Sequence, residues 1–163
     1  MSTLVPTRVV QLQPAAVTEE LRYRLFAEDR LAEFVGVGIH PVQAEMLVQM
    51  QYRGRAGNYA EAYPQAVEML LCLEDGTHAG LLLLNRGEQA WRIVDIAVLA
   101  AYRGQGIGGG VVEQVQQQAA EAGVALKLHV LHGNPAARLY ARLGFRAVSE
   151  DVIGVEMVWS RSL

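Results

Sequence analysis

The stretch YRGQGIGGG, residues 102–110, places five glycines in nine positions. Glycine loses the most chain entropy on folding, so an ordered loop of this composition needs a compensating reason. Before it runs WRIVDIAVL, residues 91–99, a β-branched stretch that reads as a strand. After it, Val111, Val112, Val115, Ala119 and Ala122 follow Ile107 along one face of a helix. Glu113, Gln114, Gln117 and Glu121 occupy the opposite face, and Gly123 ends the helix. The unit is therefore strand, glycine loop, helix. In such a unit the loop amides and the helix dipole point at one spot, which suits an anion. The competing reading is a tight turn whose glycines only permit positive φ.

Three phosphate-binding patterns can be tried on these letters. Gly104, Gly106 and Gly109 fit the G-x-G-x-x-G dinucleotide fingerprint. That fold needs its first glycine at the strand end and an acid at the end of the next strand. Here Ala100, Ala101, Tyr102 and Arg103 intervene, and the next strand ends in Leu131, His132, Gly133. A P-loop fails as well, because no Lys-Ser or Lys-Thr follows the glycines. Arg103, Gly106 and Gly108 satisfy R-x-x-G-x-G after a strand ending IAVL. This pattern resembles the acetyl-CoA pyrophosphate loop of the GNAT superfamily of N-acetyltransferases.

A second motif resembles the same family independently. NPAARLYARLGF, residues 134–145, carries an asparagine, a small-residue helix start, Leu-Tyr and a closing Gly-Phe. The resemblance covers about Ala66 to Trp159 and extends more loosely over LRYRLFAEDR and MQYRGRAGNYAEAYP. It implies a single N-acetyltransferase domain over residues 1–163, with a mixed, mostly antiparallel central sheet flanked by helices. It also implies acetyl-CoA as co-substrate, with no metal. In the family, the strand before the loop splays from its neighbour and offers backbone groups to the pantetheine arm. Carried onto this chain, Ile96 and Val98 would serve the pantetheine. Arg103, Gly104, Gln105, Gly106, Ile107 and Gly108 would hold the phosphates, and Asn134 would meet the CoA arm.

The implied reaction is attack of an amine on a thioester, with a thiolate leaving. It needs a neutral amine, a stabilised oxyanion and a proton for sulfur. Tyr140 is the candidate acid, since a phenol titrates close to an alkyl thiol; the alternative is that it only packs its helix. The oxyanion would be met by the Val98 amide, by resemblance. Asp95 is the candidate base, directly or through water, or else a polar residue on the far face of its strand. Asn134 also reads as the cap of the helix that Pro135 opens. His129 and His132, three apart on a strand, face opposite ways and do not suggest a joint metal site.

The remaining chain reads as RVVQLQ, a first strand, then a helix capped by Thr18 with Glu19 and Glu20 in its first turn. A second helix opens at Pro41 with Met46, Leu47 and Met50 on one face. AVEMLLCLE and HAGLLLLNR flank a DGT turn and read as a hairpin. ALKLHVL and the two strands of FRAVSEDVIGVEMVWS complete an α/β order β-α-α-β-β-β-α-β-α-β-β. Tyr52, Arg53, Arg55, Tyr59 and Tyr63 would suit an aromatic or carboxylate-bearing amine, or simply a solvated helix face. Glu28, Asp29 and Arg30 read as a surface charge mixture.

The 163 residues are 52% hydrophobic and 19% charged, a globular composition. A net charge of −3 without a basic run gives no electrostatic support for nucleic acid. Apolar blocks such as AGLLLL are too short for a membrane span, and MSTLVPTRVV lacks the apolar block of a secretory signal. The single cysteine, Cys72, excludes an internal disulfide and reads as a buried strand residue. A cytoplasmic protein is expected. The acceptor would be a small-molecule or peptide amine, and the C-terminal strand VEMVWS, taken as an exposed edge, would allow a homodimer. The competing function is a non-catalytic acyl-CoA-binding sensor or regulatory module.

Overall fold

The computed structural model describes residues 10–14 and 17–161, without the side chains of 56–60. The N-terminal stretch read for a signal, Arg8 and Val9 of the expected first strand, and the Tyr59 side chain lie outside the described residues. Seven strands and four helices follow the expected order: β1 (Val10–Gln13), α1 (Glu19–Gly36), α2 (Pro41–Ala62), β2 (Val67–Leu73), β3 (His78–Arg86), β4 (Ala90–Val98), α3 (Ile107–Glu121), β5 (Ala125–Leu131), α4 (Ala136–Arg142), β6 (Arg146–Glu150) and β7 (Gly154–Trp159). A single 3-10 turn, Ala100–Tyr102, precedes the glycine loop.

The strands form one sheet in the order β1-β2-β3-β4-β5-β7-β6. Every neighbouring pair is antiparallel except β4 with β5. The C-terminal strand β7 lies between β5 and β6, so the edge expected at VEMVWS is instead β6. Chain order alone does not reveal that the last strand inserts inside the hairpin it closes.

Local chemistry explains the element ends. The Leu21 N–H donates to Thr18 Oγ1 at 3.2 Å, and Pro41 opens α2. Asn134 Oδ1 accepts from the Ala136 N–H at 2.9 Å, which starts α4. The two faces of the sheet bury different helices. Leu70, Cys72 and Leu81 pack with Leu21 and Leu25 of α1. Leu71, Leu82, Leu84 and Ile93 pack instead with Val111, Val112 and Val115 of α3 and Tyr140 of α4. Buried Gln116 ties α3 to α4 by donating to the Leu143 carbonyl at 2.8 Å, so its polar group is not left unmet.

Two irregularities shape the middle of the sheet. Leu83 pairs with Asp95 and Leu84 with Ile93, so Val94 is an extra residue in β4. Asp95 and Ile93 therefore face opposite sides, although two residues apart on a regular strand share a side. Beyond Ile93 paired with Leu128, β4 no longer pairs with β5, while β5 continues against β7 to Leu131.

Gly80 holds β3 tight against the departing half of β4. A Cβ there would stand 2.0 Å from the Ala97 carbonyl oxygen, a main-chain atom that no rotamer change moves away. Gly80→Ala should destabilise the protein by about 1–3 kcal/mol, the usual range for overpacking. Urea unfolding checks this, the midpoint falling at constant slope.

Candidate active site

The departure of β4 from β5 opens a cleft through the sheet. A cavity of about 940 Å³ is lined on the α1/α2 side by Phe26, Tyr52, Arg30, Arg55, Leu83 and Asp95. The same cavity reaches Ile96, Val98, Gly104, Gly106, Ile107, Gly108, Val112, Asn134 and Tyr140 on the α3/α4 side. A second cavity of about 540 Å³ shares Arg30, Arg55, Asp95, Ile96, Asn134 and Tyr140. The first volume falls in the range of small-molecule sites.

The open edge of β4 is a row of main-chain groups. Leu99 donates its N–H to the Ala79 carbonyl of β3 at 2.8 Å. Amides of successive strand residues point to opposite edges, so the Val98 N–H is turned toward the side that β5 has left. The Val98 carbonyl agrees, accepting from Arg103 Nε at 3.1 Å rather than from β3.

The glycine loop closes one end of the cleft. Gly104 and Gly106 have φ of 75° and 77°, the left-handed region that penalises other residues. Gly106 is the N-cap of α3, and the first-turn amides of Ile107, Gly108 and Gly109 have no acceptor within the helix. A Cβ at Gly104 or Gly108 would meet nothing within 4 Å. The bare backbone thus faces open space beside the positive end of the helix dipole. The Ile107 side chain is fully buried in the core, which leaves its amide as the group facing outward. Gln105 is not among the cavity-lining residues, and its side-chain amide donates to the Ala101 carbonyl at 3.4 Å.

Arg103 lines the cavity but is already engaged. Its Nη1 donates to Asp29 Oδ1 at 3.0 Å, across to α1. Glu28 Oε2 likewise accepts the Ala100 N–H at 3.0 Å. Glu28 and Asp29, read from sequence as part of a surface mixture, clasp the start of the loop. Arg30 departs further from that reading, because its guanidinium lines both cavities and stacks 3.8 Å from the Phe26 ring centroid. The signal that could have found it is the i,i+4 spacing of Phe26 and Arg30 on a helix expected to cover the sheet.

The cleft brings Asp95 and Tyr140 into one cavity from opposite faces of the sheet. Asp95 Oδ2 accepts from Arg55 Nη2 at 2.9 Å. Burial nevertheless pushes its carboxyl up from its ordinary value, with the Arg55 charge, the Ile96 N–H and Arg30 pulling the other way. Burial, then the nearby Asp95 charge, pushes the Tyr140 phenol up. The Tyr140 side chain is held by the core and by a T-shaped contact with Phe145, centroids 5.8 Å apart. On the same wall Arg22 is paired with Glu68 at 2.6 Å. Burial, then the hydrogen bond that the Tyr52 hydroxyl donates to Glu19, pushes that phenol up to about 12. His132 turns to the β6–β7 turn, its Nε2 2.8 Å from the Asp151 carbonyl oxygen, while His129 lines the second cavity with its Nε2 3.5 Å from Asp151 Oδ2. Among the described residues no group of three or more His, Cys, Asp or Glu could hold a metal.

Residues 41–145 match the family model described as Acetyltransferase (GNAT) family. The chain belongs to the GNAT acetyltransferase family. Among curated proteins, none matches the sequence. The fold is similar to PaiA N-acetyltransferase from Thermoplasma acidophilum, solved in complex with coenzyme A. That likeness has a TM-score of 0.63 at 14% identity, over 93% of this chain and 99% of the other. An acetyltransferase from Thermus thermophilus gives a TM-score of 0.62 at 23% identity, covering 94% and 97%. A GNAT family acetyltransferase from Elizabethkingia anophelis, solved with acetyl-CoA bound, gives 0.61 at 15%, covering 95% and 99%. No helix among the described residues is long and apolar enough to cross a membrane.

The raised carboxyl of Asp95 has a consequence for stability. Between the unfolded value, about 3.9, and the higher folded value, the native state binds the extra proton. Stability from this group therefore falls as pH rises through that window. Asp95→Asn should gain on the native protein as pH is raised from about 4. Melting temperatures of both forms at matched ionic strength check it; the opposite slope would mean that Arg55 outweighs burial.

Proposed function

We propose that the chain, acting as one domain, transfers an acetyl group from acetyl-CoA to a primary amine of a small molecule or peptide. The observation that carries this reading is the cleft itself. A strand edge with free main-chain groups leads from a helix N-terminus to a phenol and a carboxylate in one cavity. The residues fit the co-substrate: the space at Gly104 and Gly108 admits a phosphate against bare backbone, and the α3 amides face it. Ile96 and Val98 then lie along the pantetheine. Arg103 closes the loop through Asp29 and the Val98 carbonyl, and Asn134 flanks the arm.

In the transfer, the amine nitrogen attacks the thioester carbonyl carbon; a C–N bond forms and the C–S bond breaks. The Val98 N–H, on the open edge of β4, meets the oxygen as it gains charge. Asp95 takes the proton that the amine sheds, and its raised affinity for protons suits a base better than an ordinary carboxylate. Tyr140 supplies the proton to the leaving sulfur; a phenol is protonated at neutral pH, and burial pushes this one further that way. One proton is taken and one delivered, so the products are the amide and the free thiol. We place this activity in the cytoplasm, supported by the single unpaired cysteine, Cys72.

Gly108 offers the cleanest test, since it lacks the positive φ of Gly104 and Gly106. Gly108→Glu should keep its own melting temperature yet lose the stabilisation that acetyl-CoA gives the native protein by mass action. An unchanged acetyl-CoA shift in that variant would remove the phosphate-loop assignment.

Tyr140→Phe should bind acetyl-CoA and lose on the order of 10² to 10⁴ in turnover, the usual cost of a missing acid. Thiol release against an amine panel reads this. Binding without thiol release from any amine on the native protein would favour a sensor over an enzyme.

A further inference from the structure

The charges on the α1/α2 side of the cleft are unequal in their engagement. Arg22 is held by Glu68 and Glu19, and Arg55 by Asp95. Arg92 is held by Glu156, and Arg103 by Asp29. Among the described residues no ion pair uses Arg30. Its Nη1 donates to the Phe26 carbonyl at 2.8 Å, and a guanidinium has five N–H donors. Its plane is fixed in advance by the Phe26 ring, 3.8 Å away, with the Arg55 guanidinium 5.2 Å from the same ring. Burial and the Arg55 charge both weigh against the Arg30 cation; the Glu33, Asp95 and Asp29 charges offset them in part, but among the described residues none of the three forms an ion pair with it. A rigid cation with spare donors in a half-buried cleft is built for an anion that arrives with the ligand.

We propose that Arg30 binds a carboxylate on the acceptor, so that the substrate class is amines that carry a carboxylate close to the reacting nitrogen, as α-amino acids do. This rests on the transferase reading for the amine end. Arg30 lines the same two cavities as Asp95 and Tyr140, so a short molecule can reach both. The wall also opposes polycationic acceptors. Asp95, Glu68 and Asp29, the carboxylates lining this half, already serve Arg55, Arg22 and Arg103, which leaves a polyamine no unengaged lining carboxylate to meet. Phe26 and Tyr52, in contact at 5.4 Å between centroids, give the substrate an aromatic floor.

The test compares α-amino acids with their own α-carboxamides and with polyamines, by thiol release at saturating acetyl-CoA. The native protein should prefer acid over carboxamide by about tenfold or more in kcat/KM, as a charge-assisted pair implies. Arg30→Gln should bring that ratio near one, and Arg30→Lys should restore part of it. The ratio is informative because a general folding defect lowers both substrates alike. A binding arm needs no turnover: melting shifts with N-acetyl amino acids against their carboxamides, in the presence of CoA, on native protein and Arg30→Gln. A carboxylate-dependent shift lost in Arg30→Gln supports the anion site even if no amine is acetylated. That outcome would count against transfer alone. Equal response to acid and carboxamide in the binding arm, or a native preference for polyamines, overturns the proposal.

Discussion

The constraint on which the rest depends is the short partnership of β4 and β5. The two strands share four residue pairs and then separate. A parallel pair has no hairpin to hold it together, and its connection here runs through α3, so the strands are free to diverge where their other neighbours pull. β3 keeps β4, and β7 keeps β5. The price is an edge of unpaired main-chain groups inside the sheet, which a dry interior would not tolerate. Water or a ligand must fill the gap, and so the weakest join in the sheet becomes its deepest cleft. The loop of residues 102–110, the N-terminus of α3 and Tyr140 of α4 all border that gap.

What the sequence disclosed follows from the range of the interactions involved. The order of elements, the Thr18 and Asn134 caps, the hairpin at DGT and the glycine loop depend on neighbours a few residues away. Cys72 and the α3 core face follow from apolar pattern alone. The side of the sheet that Asp95 faces does not. It turns on one extra residue, Val94, whose bulge becomes visible only when Leu83 and Leu84 find their partners. The position of β7 is a matter of pairing as well, and an exposed edge at VEMVWS was a reasonable but incorrect expectation. Glu28, Asp29 and Arg30 show the same limit. Three adjacent charges on a helix look solvated until the loop and β4 are brought against them.

The two ends of the cleft differ in the kind of charge they present. At the loop, field comes from peptide dipoles, because Arg103, the cation in the motif, is occupied by Asp29 and the Val98 carbonyl. Peptide dipoles do not titrate. At the other end, field comes from Arg30, Arg55 and Asp95, and Asp95 is the one group of the three that changes charge within an accessible pH range. When it is protonated, both guanidiniums lose that countercharge. Acid should therefore strengthen the hold on an anionic acceptor while removing the base that frees its amine. On the proposed reading, binding of the acceptor and its turnover then depend on pH in opposite senses, while hold on the phosphates stays flat as far as the loop decides it. That opposition is a property of one carboxylate shared between two roles. It sets apart this site from one in which separate residues bind the acceptor and activate it.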